Sequence, residues 1–243
     1  MNTKKKFIPY ILFGYPTIEE SYRKALTFAD TADIFEIGFP YSDPIADGRV
    51  IVDAARIALK NKISFIDYLE FIKKLKDKIT APIYAMTYYN PILKYGIEKF
   101  MKSEIDGFII PDLIIEESGE LLKIAKKYNK KSVFIITPDT LDDRIKKISE
   151  HTTGFIYFVT YAGVTGKNVK LTKQIIDKIK KIKEIVNCDV NIGFGIRKIR
   201  DIDYIYKYTE ADGVIVGSAI IKNEITSETI KQFKNAKLAT PQK

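Results

Sequence analysis

One cysteine and one histidine in 243 residues remove the commonest routes to a metal centre or a nucleophilic triad before any motif is sought. Cys188 lies in the apolar, strand-like run Cys188-Asp189-Val190-Asn191-Ile192. With no second thiol an intramolecular disulfide is excluded, and a reducing compartment is the expected home. The residue reads as a small core side chain rather than a nucleophile. His151 stands between a helical stretch and a glycine turn with no Cys or His cluster near it, so neither a zinc site nor a catalytic triad is expected. No apolar run approaches the ~20 residues that span a bilayer, and Met1-Asn2-Thr3-Lys4-Lys5-Lys6 lacks the long apolar core of a signal peptide. A cytoplasmic protein is expected. No Gly/Ser/Pro-rich linker or low-complexity tract divides the chain, so residues 1–243 are expected to form a single domain with a sizeable core.

The net charge of +9 raises the question of nucleic acid. The lysines are spread over many helical patterns rather than gathered on one segment, and no nucleic-acid motif accompanies them. In Lys178-Ile179-Lys180-Lys181-Ile182-Lys183 the isoleucines recur at helical spacing, which describes an amphipathic helix with a solvated face. The charge implies no membrane or nucleic-acid partner, only a modest attraction for anionic substrates.

Hydrophobic periodicity predicts strands near 7–13, 33–38, 82–88, 106–110, 132–136, 155–159, 189–193 and 212–216. Helical patterns fall between them near 18–30, 51–76 with an interruption, 95–102, 117–128, 141–149, 171–186, 200–207 and 224–235. Eight strand-then-helix units in strict alternation require parallel strands with helical crossovers, and their number and length are those of an α/β fold of the closed (β/α)8 TIM-barrel type. A doubly wound open sheet is the alternative, disfavoured because no GxGxxG turn follows the first strand. In such a barrel the chemistry lies in the loops after the strands.

The loop after the second predicted strand is the most unusual. In Phe35-Glu36-Ile37-Gly38-Phe39-Pro40-Tyr41-Ser42-Asp43-Pro44-Ile45-Ala46-Asp47-Gly48, alternation of faces places Glu36 with Ile34 and Gly38 on a covered side. A buried, unpartnered carboxylate costs several kcal/mol or takes up a proton, which suits a general acid or base near neutral pH. The structural alternative is an ion pair with a Lys or Arg at the barrel mouth. Asp47, just before Gly48, also reads as an Asx turn or helix cap, and Asp43 before Pro44 as a turn former. Asn90 and Asp112 have similar capping readings. Glycines follow the sixth, seventh and eighth strands, with Ser218 heading a short helical segment; together they suggest a phosphate cradle, although each alone makes a tight turn. Tyr10, Phe39, Tyr157 and Phe194 fall near the same mouth and are candidates to line a slot for a flat substrate, against ordinary core packing.

With these residues placed, Glu36 to Gly48 closely resembles the ELGxPxSDPxADG signature of the tryptophan synthase α-subunit family. The resemblance continues in order along the chain: Tyr157 followed by Ala162-Gly163-Val164-Thr165-Gly166, then Gly193-Phe194-Gly195-Ile196, then Ala211-Asp212-Gly213-Val214-Ile215-Val216-Gly217-Ser218-Ala219. It implies a TIM-barrel lyase that cleaves indole-3-glycerol phosphate to indole and D-glyceraldehyde 3-phosphate in tryptophan biosynthesis. By the same resemblance Glu36 is the principal acid/base, and Asp47 holds the indole N–H and stabilises the developing cation. Tyr157 lines the site. Thr165 holds the strand-6 loop against the aspartate, Phe194 packs on the indole, and Gly166, Gly195, Gly217 and Ser218 bind phosphate. No cofactor is implied for this chain, pyridoxal phosphate (PLP) being expected only in a partner β subunit of an α2β2 assembly, with loop 2 and the loop around Pro91 facing it. A stand-alone lyase and a non-catalytic activator barrel are the competing readings. The chain departs from the family at Arg49, where proline is usual, at Ile114-Ile115 in place of Pro-Pro, and at Arg197 in place of a small hydroxyl residue. Only six residues precede the first predicted strand, so the family's usual N-terminal helix is expected to be absent.

Overall fold

The computed structural model describes residues 5–160, 172–193 and 195–239. Eight strands, β1 (Lys6–Leu12), β2 (Phe35–Gly38), β3 (Ile83–Met86), β4 (Gly107–Ile109), β5 (Lys131–Ile136), β6 (Phe155–Val159), β7 (Asp189–Gly193) and β8 (Gly213–Val216), close into a barrel in sequence order. All neighbours are parallel, and β8 returns to β1 with Phe7 opposite Val214. The helices are α1 (Ile18–Thr27), α2 (Arg49–Lys60), α3 (Phe65–Lys76), α4 (Tyr89–Tyr95), α5 (Ile97–Met101), α6 (Gly119–Lys127), α7 (Asp142–His151), α8 (Lys173–Ile185), α9 (Ile199–Tyr208), α10 (Ser218–Ile221) and α11 (Ser227–Ala239). The open-sheet alternative is thereby excluded. No helix among the described residues is long and apolar enough to cross a membrane.

Local chemistry sharpens two of the helical predictions and adds one helix. The interrupted pattern at 51–76 is two helices, because Lys62 turns back at φ 53° and Ser64 starts α3 with a capping box to Asp67. The pattern at 95–102 is preceded by α4, and Gly96 at φ 106° separates α4 from α5. Pro91 sits in the first turn of α4, where a missing N–H breaks no intrahelical bond. Ser218 heads a single helical turn, α10, ahead of the last helix, matching the short helical segment expected there.

The strands bury two faces. Outward residues such as Phe35, Ile37, Phe108, Ile156, Phe158, Val190 and Val214 pack under the helices. Inward residues, among them Ile8, Tyr10, Tyr84, Met86, Ile109, Phe155, Tyr157 and Ile215, fill the barrel. Large inward rings rest on inward glycines of the next strand. A methyl group at Gly38 would lie 2.2 Å from Tyr10 Oη, and one at Gly193 2.1 Å from Tyr157 Cε2. Tyr10 is opposite Glu36 and Tyr157 opposite Asn191, so each ring leans two residues toward the C-terminal end, where the strands open into loops. Gly38→Ala is therefore expected to lower stability by about 1–3 kcal/mol through overpacking. In urea melts, Tyr10→Ala in the same chain should cost less than it does alone; additive losses would show that ring and glycine are not coupled.

Cys188 is partly buried against the core, and burial pushes its thiol up, consistent with an inert packing role. His151 ends α7, exposed, with Nδ1 3.0 Å from the Lys147 carbonyl. Among the described residues no group of His, Cys, Asp and Glu is placed to hold a metal ion.

Candidate active site

Period-two alternation carries Glu36 into the barrel as predicted. It is 1% exposed, and its Oε2 has no hydrogen-bond partner. No Lys or Arg pairs with it among the described residues, so the mouth ion pair is not the explanation. Burial first, and the charge of Asp47 second, push its carboxyl up to about 8. Near pH 7 Glu36 is mostly the neutral acid.

Asp47 lies on the loop between β2 and α2. The N-cap of α2 is Gly48, with no side-chain cap bond, so the helix-cap reading fails. Its Oδ2 instead accepts a hydrogen bond from Tyr88 Oη at 3.1 Å. Burial pushes its carboxyl up to about 6, and the Tyr88 bond opposes that shift by favouring the charged form. The two carboxyls are thus separated in acidity, one mostly protonated and one mostly ionised at neutral pH, an arrangement suited to divided acid/base and electrostatic roles. Asp43 is exposed, and its Oδ2 accepts from Ser42 Oγ at 2.5 Å.

Tyr10 and Tyr157 flank this pair. Both are buried, and burial together with the charges of Glu36 and Asp47 raises both phenols well above their ordinary range. They remain neutral and line an apolar wall. Phe39, by contrast, packs on the helical side against Phe65 and Tyr68 with ring centroids 5.1 and 5.3 Å apart, so it does not line the slot.

Gly195 follows β7 at φ 79°, a conformation that favours glycine. Gly217 is the N-cap of α10 and Ser218 its first residue. A methyl group on Gly217 would lie 3.2 Å from Tyr10 Cδ1, so this turn backs directly onto the ring beside the acids. Arg197 is exposed, and its backbone N–H donates to Asp201 at 2.9 Å. Arg49 is 94% exposed in its side chain, with Nε 3.8 Å from Asp53 Oδ2. Thr165, Gly166 and Phe194 lie outside the described residues.

Tyr88 was not singled out as a site residue by the sequence pattern, yet it touches Asp47. Its parity was readable: Tyr84, Met86 and Tyr88 alternate onto one face. Asp112 does cap a helix, but a neighbouring one, accepting the Tyr89 N–H at the start of α4 at 2.9 and 3.2 Å. Asn90 Nδ2 donates to Tyr41 Oη at 3.2 Å.

The sequence model of the tryptophan synthase alpha chain family matches residues 1–242. The tryptophan synthase alpha chain of Aquifex aeolicus is 41% identical over 226 residues, covering 90% of this chain and 86% of that one. That of Methanocaldococcus jannaschii is 40% identical over 227 residues, covering 90% and 79%. Among solved structures, the tryptophan synthase α2β2 complex of the hyperthermophile Pyrococcus furiosus, studied for its mutual activation, contains a chain that aligns with TM-score 0.85 at 34% identity over 97% of both chains.

Proposed function

The chain belongs to the tryptophan synthase alpha chain family and is a carbon-carbon lyase cleaving indole-3-glycerol phosphate to indole and D-glyceraldehyde 3-phosphate; we propose that Glu36 and Asp47 divide that retro-aldol reaction between them. The observation that supports this most is the separation of the two carboxyls, Glu36 up to about 8 and Asp47 up to about 6. Neutral Glu36 donates its proton to indole C3 and becomes a carboxylate. Asp47, ionised, accepts the indole N–H and stabilises the indoleninium cation. The Glu36 carboxylate then removes the proton from the hydroxyl on the carbon attached to the ring. As the O–H pair becomes the aldehyde C=O, the C–C pair returns to the ring and neutralises the cation. Indole leaves, and Glu36 has its proton back. No external acid, base or oxidant is consumed.

Tyr10 and Tyr157 present neutral rings around the indole, and Phe194 is proposed to pack on it. Gly166, Gly195, Gly217 and Ser218 are proposed to hold the phosphate through backbone N–H groups, with the glycines admitting close approach. Thr165 is proposed to draw its loop against Asp47 and exclude water. These steps use this chain's own side chains, and PLP chemistry is assigned to the partner β subunit.

The partner reading rests on exposed apolar residues at the same end of the barrel. Ile45 after β2 is 81% exposed, Leu93 in α4 50%, and Ile114 after β4 48%. Such residues on successive loops suit an apolar interface. Incubation with indole-3-glycerol phosphate is expected to release indole, roughly tenfold or more faster with a β subunit present. Ile45→Asp should weaken that activation by at least tenfold in half-saturating β concentration, the effect of losing an interface anchor worth about 1.4 kcal/mol or more, while the rate without β is unchanged. Fast turnover indifferent to β would instead favour the stand-alone lyase.

A further inference from the structure

Among the described residues, the loop between β2 and α2 has few ties of its own around Asp47. The Asp47 N–H reaches the Pro44 carbonyl only at 3.4 Å, and no atom lies within 4 Å of where a Cβ on Gly48 would stand. Among the described residues, the side-chain hydrogen bonds that fasten Ala46 and Asp47 to the barrel both run to one phenol. Tyr88 Oη accepts the Ala46 N–H at 3.0 Å and donates to Asp47 Oδ2 at 3.1 Å. Tyr88 is itself held, 2% exposed and stacked on Tyr41 with centroids 4.7 Å apart and planes at 18°. Asn90 secures Tyr41, and Asp112 secures the Tyr89 N–H next to Tyr88.

A phenol has one proton to donate, and here it is spent on Asp47. With the ring locked, that proton defines the direction of the carboxylate and favours its ionised form. We propose that Tyr88 is a positioning residue of the lyase reaction: by taking the Ala46 N–H and giving its proton to Asp47, it aims the Asp47 carboxylate at the indole N–H. This rests on the role assigned to Asp47 above. Among the described residues the groups bearing on this pair are Glu36 on β2, Tyr10 on β1, Tyr157 on β6 and Asp112 after β4. None of these is a cation, so loss of the Tyr88 proton removes support that these groups do not replace against protonation of Asp47.

Tyr88→Phe keeps the ring and its stack on Tyr41 and removes the hydroxyl alone. Its kcat for indole formation at pH 6.5–7 is expected to fall by about 10- to 100-fold, the range for losing a hydrogen bond to a charged group, with KM within about twofold. Because the lost bond favoured the charged form of Asp47, the acid limb of the kcat/KM profile should move to higher pH. The deficit relative to the parent should then shrink as pH rises, a recovery that a merely damaged fold would not show. In an Asp47→Asn background, Tyr88→Phe should cost less than about twofold further, since it acts through that carboxylate. A Tyr88→Phe chain with parental kcat and an unmoved acid limb, or one equally impaired in both backgrounds, overturns the proposal and leaves the lyase reading intact. A parent chain that forms no indole even with a β subunit overturns both.

Discussion

Glu36→Gln is expected to lower kcat for indole formation by about 10³-fold or more at pH 7, with KM changed less than about threefold. General acid–base catalysis contributes about 10²–10⁴-fold per proton transfer, and Glu36 is asked to perform two, donation to C3 and removal from the hydroxyl. The amide matches the carboxyl in size, so packing against the inward layer of the barrel is retained, but it offers no acidic proton and no basic oxygen. Stability supplies an independent check. The folded carboxyl is raised from 4.5 to about 8 by burial and by Asp47. The unfolded chain gives up this proton first, so stability falls as pH rises between those values, by up to about 1.4 kcal/mol per pH unit. Glutamine does not ionise. The variant should match the parent near pH 4 and exceed it by a few kcal/mol near pH 9 in urea melts. An inactive variant with that profile is folded and lacks only the acid; near-parental turnover would remove Glu36 from the mechanism.

The position of Glu36 was legible in the sequence because strand parity is a property of three consecutive inward positions, Ile34, Glu36 and Gly38, and needs no knowledge of distant residues. The barrel was legible for the same reason, repeated eight times. What parity cannot convey is which groups meet across loops. Asp47 looked like a cap for α2 because it precedes Gly48 and a helix, a local inference that fails because Tyr88, 41 residues away, competes for its carboxylate. Asp112 was legible as a capping residue but not as the cap of α4, whose start lies 23 residues earlier. The separated acidities of Glu36 and Asp47 depend on burial, on the charge of Asp47 acting on Glu36 and on the Tyr88 bond to Asp47, which only the closed barrel sets. Phe39 was drawn toward the mouth by its place in the motif, while its odd parity relative to Glu36 sends it out to Phe65 and Tyr68.

Asp47→Asn is expected to reduce kcat by about 10²–10³-fold, the magnitude typical of removing a preorganised electrostatic partner of developing charge. Its signature lies in the pH profile. In the parent, kcat/KM needs Asp47 ionised and Glu36 protonated, which predicts a bell with an acid limb near 6 and an alkaline limb near 8. Replacing Asp47 removes the group responsible for the acid limb, so that limb should disappear. It also removes the second cause of the high Glu36 value, the negative charge of Asp47, so the alkaline limb should move below 8 toward the value set by burial alone. Glu36→Gln, by contrast, should remove the alkaline limb and leave the acid one, because burial is the leading cause for Asp47. The two variants therefore exchange limbs, and pH–rate profiles of the three chains with a β subunit decide the assignment. If Asp47→Asn retains the acid limb, or its alkaline limb stays at the parental pH, then the charge on Asp47 does not act on Glu36 and the division of labour between them is wrong.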